Sequence, residues 1–304
     1  MKILLFGKNG QVGWELQRSL APLGELVALG ADEEAGLAGD FLQPDRIART
    51  VRTVRPDVIV NAAAYTAVDR AESEPEAARL VNATTPGVLA QEAQACGALL
   101  VHYSTDYVFD GSGTQPRTED DAPAPLSVYG ATKFEGEQLV AARCARHLVL
   151  RTSWAYGARG GNFAKTMLKL AAERDRLTVV DDQFGAPTGA DLLADLTAHA
   201  IRATLAQPGL AGLYHAVAAG ETTWNGYARF VVEQAAQAGL ALRVTPEQIE
   251  RVPSSSFPSA AKRPSNSRLD TSRLRRSFGF TLPAWQTGVS RMLQEIIQTG
   301  GDNT

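Results

Sequence analysis

Through its first half the chain alternates short apolar runs with helix-forming stretches, and this alternation leaves few folds open. "KILLFG" reads as a first strand, "QVGWELQRSLAPLG" as a helix with Val12, Leu16, Leu20 and Leu23 on one stripe, and "ELVALG" as a second strand. "PDRIARTVRTVRP" is helical, "DVIVNAA" a strand, "PEAARLVNATTPGVLAQEAQACG" helical, and "ALLVHYST" and "HLVLRTSWAYG" are two further strands. Continuous apolar runs of about five residues suit strands covered on both faces, hence a parallel sheet with crossover helices. The expected fold is α/β, a doubly wound parallel sheet with a smaller mixed α/β unit. Residues 1–155, with part of 176–208, are expected to form the sheet domain, and residues 156–175 and 209–304 the smaller one. In that half "NFAKTMLKLAAERD" and "TWNGYARFVVEQAAQAG" read as helices, and "LTVVDDQFG" and "GLYHAVAAG" as strands running into loops. "VPSSSFPSAAKRPSNS" is Ser- and Pro-rich and reads as a surface loop, and a helix near Trp285 to Ile297 closes the chain.

The 304 residues suffice for one large domain or two modest ones. A net charge of −3 gives no sign of nucleic acid or an anionic membrane as partner. No apolar run approaches the roughly 20 residues of a membrane span, and the start reads as a strand and not as a signal peptide. Cys96 and Cys144 show neither metal nor redox spacing, so they are expected to be buried thiols in a reducing cytoplasm. The four histidines, His102, His147, His199 and His215, are scattered and form no ligand cluster.

Directly after the first strand comes Gly7-Lys8-Asn9-Gly10-Gln11-Val12-Gly13. Glycines at a strand-to-helix turn let backbone amides approach a pyrophosphate, and the helix N-terminus favours its charge. Strand two ends at Gly30, where an acid commonly holds a ribose 2′-hydroxyl, and Asp32 lies two residues further on. With Lys8 able to face a 2′-phosphate, NADPH is favoured over NADH. Three further segments should converge at the carboxyl ends of the strands: "NAAAYTAVD", "STDYVFDGSG" and "YGATK". In the last, Tyr129 and Lys133 fall one helical turn apart. Tyr129 is the candidate proton donor, and Lys133 is expected to lower its pKa from the usual value near 10. Thr105 would bind the same carbonyl oxygen.

Together these segments resemble the extended short-chain dehydrogenase/reductase family, and within it the dTDP-4-dehydrorhamnose reductases. "STDYVFDG", "RTSWAYG" and "DQFGAPT" are the more specific matches, and the resemblance runs over essentially the whole chain. It implies reduction of the C4 ketone of dTDP-4-dehydro-L-rhamnose by NADPH or NADH to dTDP-L-rhamnose, a precursor of cell-surface polysaccharide such as O-antigen. Tyr129, Lys133 and Thr105 would be catalytic. Gly7, Gly10, Gln11, Val12, Gly13, Asp40, Phe41, Ala62, Ala63 and Ala64 would line the dinucleotide. Thr105, Asp106, Trp154 and Arg263, or Lys262 beside it, would meet the dTDP-sugar. The resemblance also implies a magnesium ion at a homodimer contact, through Glu15, Asp191 and Glu295. Two other readings share the scaffold. A sugar-nucleotide epimerase or dehydratase is one, although dehydratases place Asp-Glu after the strand-end threonine and Asp106-Tyr107 stands here. A non-catalytic subunit resembling the regulatory partner of methionine adenosyltransferase is the other.

Overall fold

The computed structural model describes residues 1–301. Six parallel strands form the central sheet: β1 (Lys2–Phe6), β2 (Glu25–Leu29), β3 (Val58–Asn61), β4 (Leu99–Thr105), β5 (His147–Thr152) and β6 (Gly212–His215). Their order is β6-β5-β4-β3-β1-β2, so the winding reverses between β1 and β3. In such sheets the ligand crevice opens at that point, beyond the carboxyl ends of the strands.

Alternation along the strands builds the two faces. Ile3 and Leu5 of β1, Val58 and Val60 of β3 and Val101 of β4 join one core. It is covered by α1 (Gln11–Leu20) and, much later in the chain, by α6 (Ala190–Ala206). Leu4, Phe6, Ile59, Leu100 and Val149 point the other way, towards α2 (Pro44–Val54), α3 (Thr85–Cys96) and α4 (Val128–Arg143). Proline at the first turn of α2, Asp45 beside it and Arg52 in its last turn suit the helix ends, while Ile47, Ala48, Val51 and Val54 make its buried stripe. The turn from β1 into α1 is tight. Gly7 has φ +84°, and a Cβ at Gly13 would stand 2.0 Å from the Gly7 carbonyl oxygen. No side chain larger than hydrogen is accommodated there.

The smaller unit joins α5 (Phe163–Glu173), α7 (Trp224–Gln237) and α8 (Trp285–Gly301) around a second core of Met167, Tyr227, Val231, Trp285 and Val289. Leu177–Val180 pairs in parallel with Ile249–Val252 in this unit, and Phe184–Gly185 pairs antiparallel with Thr222–Thr223. One boundary differs from the partition expected from sequence. Gly212–His215 pairs with β5 and closes the edge of the large sheet, although it lies within 209–304. The segment buries Tyr214 and His215, which a solvated edge of the smaller unit would leave wet.

α4 carries the Tyr-x-x-x-Lys pair and is seated by a capping bond, in which the Gly130 amide donates to Ser127 Oγ at 3.2 Å. It is anchored to β5 by an ion pair taken out of water. Arg151 donates to Glu137 at 2.9 and 2.6 Å, with the two side chains 2% and 7% exposed. Breaking such a pair leaves one buried charge uncompensated, which costs far more than the pair contributes. Glu137→Gln is expected to lose about 3–5 kcal/mol in urea unfolding, and the double replacement Glu137→Met with Arg151→Met to recover most of it. A single variant within about 1 kcal/mol of the parent would refute this role for the pair.

Candidate active site

Four chain segments meet beyond the carboxyl ends of β1, β3 and β4. At the glycine turn Gly10 precedes α1 and gives it no side-chain cap, leaving first-turn amides for a ligand. Behind it the Ala62–Ala64 stretch closes in, for a Cβ at Gly7 would lie 2.6 Å from Ala62 C and Ala63 N. Asn61, 1% exposed, fixes that stretch by accepting from the Ala63 amide at 3.0 Å. Its amide nitrogen faces His102 Nδ1 at 3.0 Å, and burial beside Lys133 holds this imidazole neutral. Sequence reading placed no role on Asn61 or His102. Phe41 packs edge-on against Phe6 at 5.5 Å, and Asp40 accepts from the Leu42 amide at 2.9 Å to shape the turn before α2.

Tyr129, Lys133 and Thr105 do come together. Thr105 ends β4, its side chain accepts from the Tyr107 amide at 3.1 Å, and its hydroxyl donates to Asp106 at 3.1 Å. The Thr105 side chain lies close enough to the Tyr129 phenol to lower its pKa. Tyr107 lies edge-on to Tyr129 at 5.5 Å and 80°. The Lys133 ammonium is 2% exposed and donates to the Tyr103 carbonyl at 2.6 Å.

The electrostatics correct one expectation. The phenol is not lowered by its lysine: loss of hydration pushes Tyr129 up to about 12, the Thr105 side chain draws it part of the way back, and the charge of Asp106 opposes that. Loss of hydration outweighs what lowers the phenol, while the Lys133 ammonium donates to the Tyr103 carbonyl. Burial pushes Lys133 down to about 8, with Glu137 opposing. Asp106, buried, is pushed up to about 6 by loss of hydration, offset in part by hydrogen bonds from Ser267 and Thr105. At neutral pH the tyrosine therefore carries its proton.

Next to this cluster lies a cavity of about 1290 Å³, bounded by Tyr107, Phe163, Met167, Gln183, Trp224 and Arg263. Trp154 stacks on Trp224 at 3.7 Å and 15°, and the Trp224 indole N–H donates to Gln183 at 3.1 Å. Trp154 holds φ +48°, a conformation that non-glycine residues keep mainly where function or packing demands it. Trp224 was not singled out from sequence; it reads there as one more helix-start residue after "GETT". Arg263 and Lys262 both line the cavity, and Arg263 pairs with Asp69 at 2.6 Å, tying the late loop to the segment after β3.

The acidic trio is not assembled into a metal site. Glu15, Asp191 and Glu295 line one cavity of about 380 Å³, but Arg18 faces Glu15 at 3.4 Å and Arg291 faces Asp191 at 3.4 Å. Among the described residues no group of three acids, histidines or cysteines is placed to hold an ion. Arg18 and Arg291 already face Glu15 and Asp191, so the donor set of one chain taken alone does not fit magnesium. Of the two free cysteines Cys144 is buried, whereas Cys96 is exposed at the end of α3, contrary to expectation. Among the described residues no helix is long and apolar enough to cross a membrane.

A family model described as the RmlD substrate binding domain matches residues 1–298. The dTDP-4-dehydrorhamnose reductase of Escherichia coli K12 is 56% identical over 299 residues, covering 98% of this chain and 99% of that protein. The crystal structure of a dTDP-4-dehydrorhamnose reductase from Clostridium acetobutylicum is similar with a TM-score of 0.88 at 32% identity, covering 98% of this chain and 100% of that one. The enzyme of that name from Bacillus anthracis, solved in complex with NADP, gives a TM-score of 0.87 at 34% identity over 97% of this chain and 99% of its own.

The burial of Lys133 has a consequence for stability. In the unfolded chain its ammonium persists to about 10.5, and in the fold only to about 8. Between these values the unfolded chain binds more protons, so Lys133 makes stability rise with pH there. Below about 8 its burial penalty, on the order of 3 kcal/mol, is fully present. Lys133→Met is expected to be more stable than the parent at pH 7 and to lose that advantage by about pH 10.5 in unfolding titrations. An advantage that does not change with pH would contradict the account.

Proposed function

The chain belongs to the RmlD substrate binding domain family, and on that premise we propose that it reduces the C4 ketone of dTDP-4-dehydro-L-rhamnose with NADPH or NADH, giving dTDP-L-rhamnose. The observation that carries this reading is the buried Tyr129 phenol beside Thr105, with a glycine turn suited to a dinucleotide and an aromatic-walled cavity near it.

When bound, the reduced nicotinamide supplies the hydride. The uncapped first turn of α1, with Gly10, Gln11, Val12 and Gly13, receives the pyrophosphate. Ala62, Ala63 and Ala64 flank the nicotinamide half, and Asp40 and Phe41 border the adenosine half. Thr105 turns its hydroxyl proton from Asp106 to the ketone oxygen and orients it. Tyr129 delivers its proton to that oxygen, for which a phenol held near 12 is in the right form at neutral pH. Lys133 stays cationic at neutral pH and stabilises the tyrosinate left behind. Trp154, held flat by Trp224, offers its indole to the apolar side of the deoxysugar. Arg263 and Lys262 face the diphosphate from the late loop. A dehydratase reading is not favoured, because the ring of Tyr107 stands against Tyr129 where a second carboxylate would be needed.

Purified protein given the 4-keto sugar nucleotide and NADPH is expected to oxidise one dinucleotide per sugar, followed by absorbance loss and product analysis. A retained cofactor with no net oxidation would point to the epimerase class instead. Tyr129→Phe is expected to lower turnover by about 10²–10⁴-fold while leaving dinucleotide binding intact; survival of turnover within a few-fold would remove Tyr129 as donor. With saturating substrates the reduction rate should be level through neutral pH and fall as pH rises through about 8, where Lys133 loses its charge. A rate that held level to pH 10 would exclude that role for the ammonium.

A further inference from the structure

The end of β2 carries no side chain to meet the adenosine ribose, and the space above Gly30 is filled from the glycine turn. A Cβ at Gly30 would stand 2.7 Å from Asn9 Nδ2 and 3.8 Å from Lys8 Cε. The glycine therefore makes room for Asn9 of the glycine turn, with Lys8 in ordinary contact beside it. The turn itself is pinned from α1, where Gln17 donates to the Lys8 carbonyl at 3.0 Å.

Lys8 does not end in solvent. Its ammonium meets both oxygens of Glu34, at 2.6 and 2.5 Å. Glu34 is delivered by a built device. Its amide donates to the Leu37 carbonyl at 3.0 Å and the Leu37 amide returns the bond at 2.8 Å, closing a two-residue hairpin. The turn residues Ala35 and Gly36 have φ +49° and +78°, as that kind of hairpin requires. An alanine in the left-handed region costs about 1 kcal/mol, a strain that persists where surrounding structure enforces it. Of the nearby charges, Glu33 is tied to Arg46 of α2 and Asp32 is exposed.

The two partners of this pair select opposite ligands. A ribose 2′-phosphate brings nearly two negative charges, which an ammonium attracts and a carboxylate repels. A free 2′-hydroxyl can donate to a carboxylate and gains little from a lysine. We propose that the Lys8–Glu34 pair reads the 2′ position of the dinucleotide's adenosine ribose, Glu34 accepting the hydroxyl of NADH and Lys8, released from Glu34, engaging the phosphate of NADPH. This rests on the proposed dinucleotide site and adds what sets its preference. Opposed within one ion pair, the two side chains leave the chain able to take either cofactor.

The test is direct binding, followed by reduced-nicotinamide fluorescence with no sugar present. NADPH and NADH are titrated separately into the parent, Glu34→Gln and Lys8→Met. Glu34→Gln is expected to raise the ratio of NADPH to NADH affinity by about tenfold, and Lys8→Met to lower it by about tenfold. Ratios within about twofold of the parent in both variants would overturn the proposal, and a change in Lys8→Met alone would remove Glu34 from it. If the parent bound neither dinucleotide, the proposed function would fall along with this inference. If it bound and reduced the sugar while the ratios stayed fixed, only this inference would fall.

Discussion

A cation kept out of water organises this site. The Lys133 ammonium, 2% exposed, is held by the Tyr103 carbonyl of β4 and sits one turn from Glu137, whose charge supports it. Glu137 in turn is gripped by Arg151 of β5. The alternating buried charges fix α4 against the two strands whose ends form the cleft. Tyr129, on the same face of α4, is thereby brought to the end of β4, beside Thr105. Any change that rehydrates the lysine or frees α4 would disturb the phenol and the carboxyl ends together.

The phenol's acid–base character follows from burial more than from its neighbour. A proton donor to a ketone must hold its proton until charge develops, and a dry phenol does so. On the proposed reading, the buried amine on the same helix face favours the anionic oxygen, and a cation is worth most in a low-dielectric cleft. The aromatic cavity complements this arrangement. It is walled by residues from both halves of the chain, with the Asp69–Arg263 pair bridging the segment after β3 to the late loop.

Much of this was legible in the residues. Continuous apolar runs separated by helices foretold a parallel sheet, and Gly7, Gly10 and Gly13 at the first crossover foretold the tight turn that the Gly13–Gly7 approach now explains. The Tyr129, Lys133 and Thr105 cluster was readable because its local spacings fall at a strand end and a helix start. Long-range partners were not. Nothing in the local pattern around Trp224 reveals that it stacks on Trp154, 70 residues earlier in the chain. Nor does Glu34 show that a hairpin will carry it to Lys8. The sheet edge was misassigned because "GLYH" is a short run that two units could have claimed equally on pattern alone. The direction of the tyrosine's shift was missed for a related reason: adjacency on a helix was visible, whereas the loss of water was not.

The central claim is that the Tyr129 proton moves to the ketone oxygen in the step that reduces the sugar. Single-turnover reduction of the 4-keto sugar nucleotide, compared in ordinary and heavy water at matched acidity, tests it most directly. The account predicts a slower turnover in heavy water for the parent chain and no such slowing once the phenol is replaced by phenylalanine. Equal rates in the two solvents for the parent would contradict it.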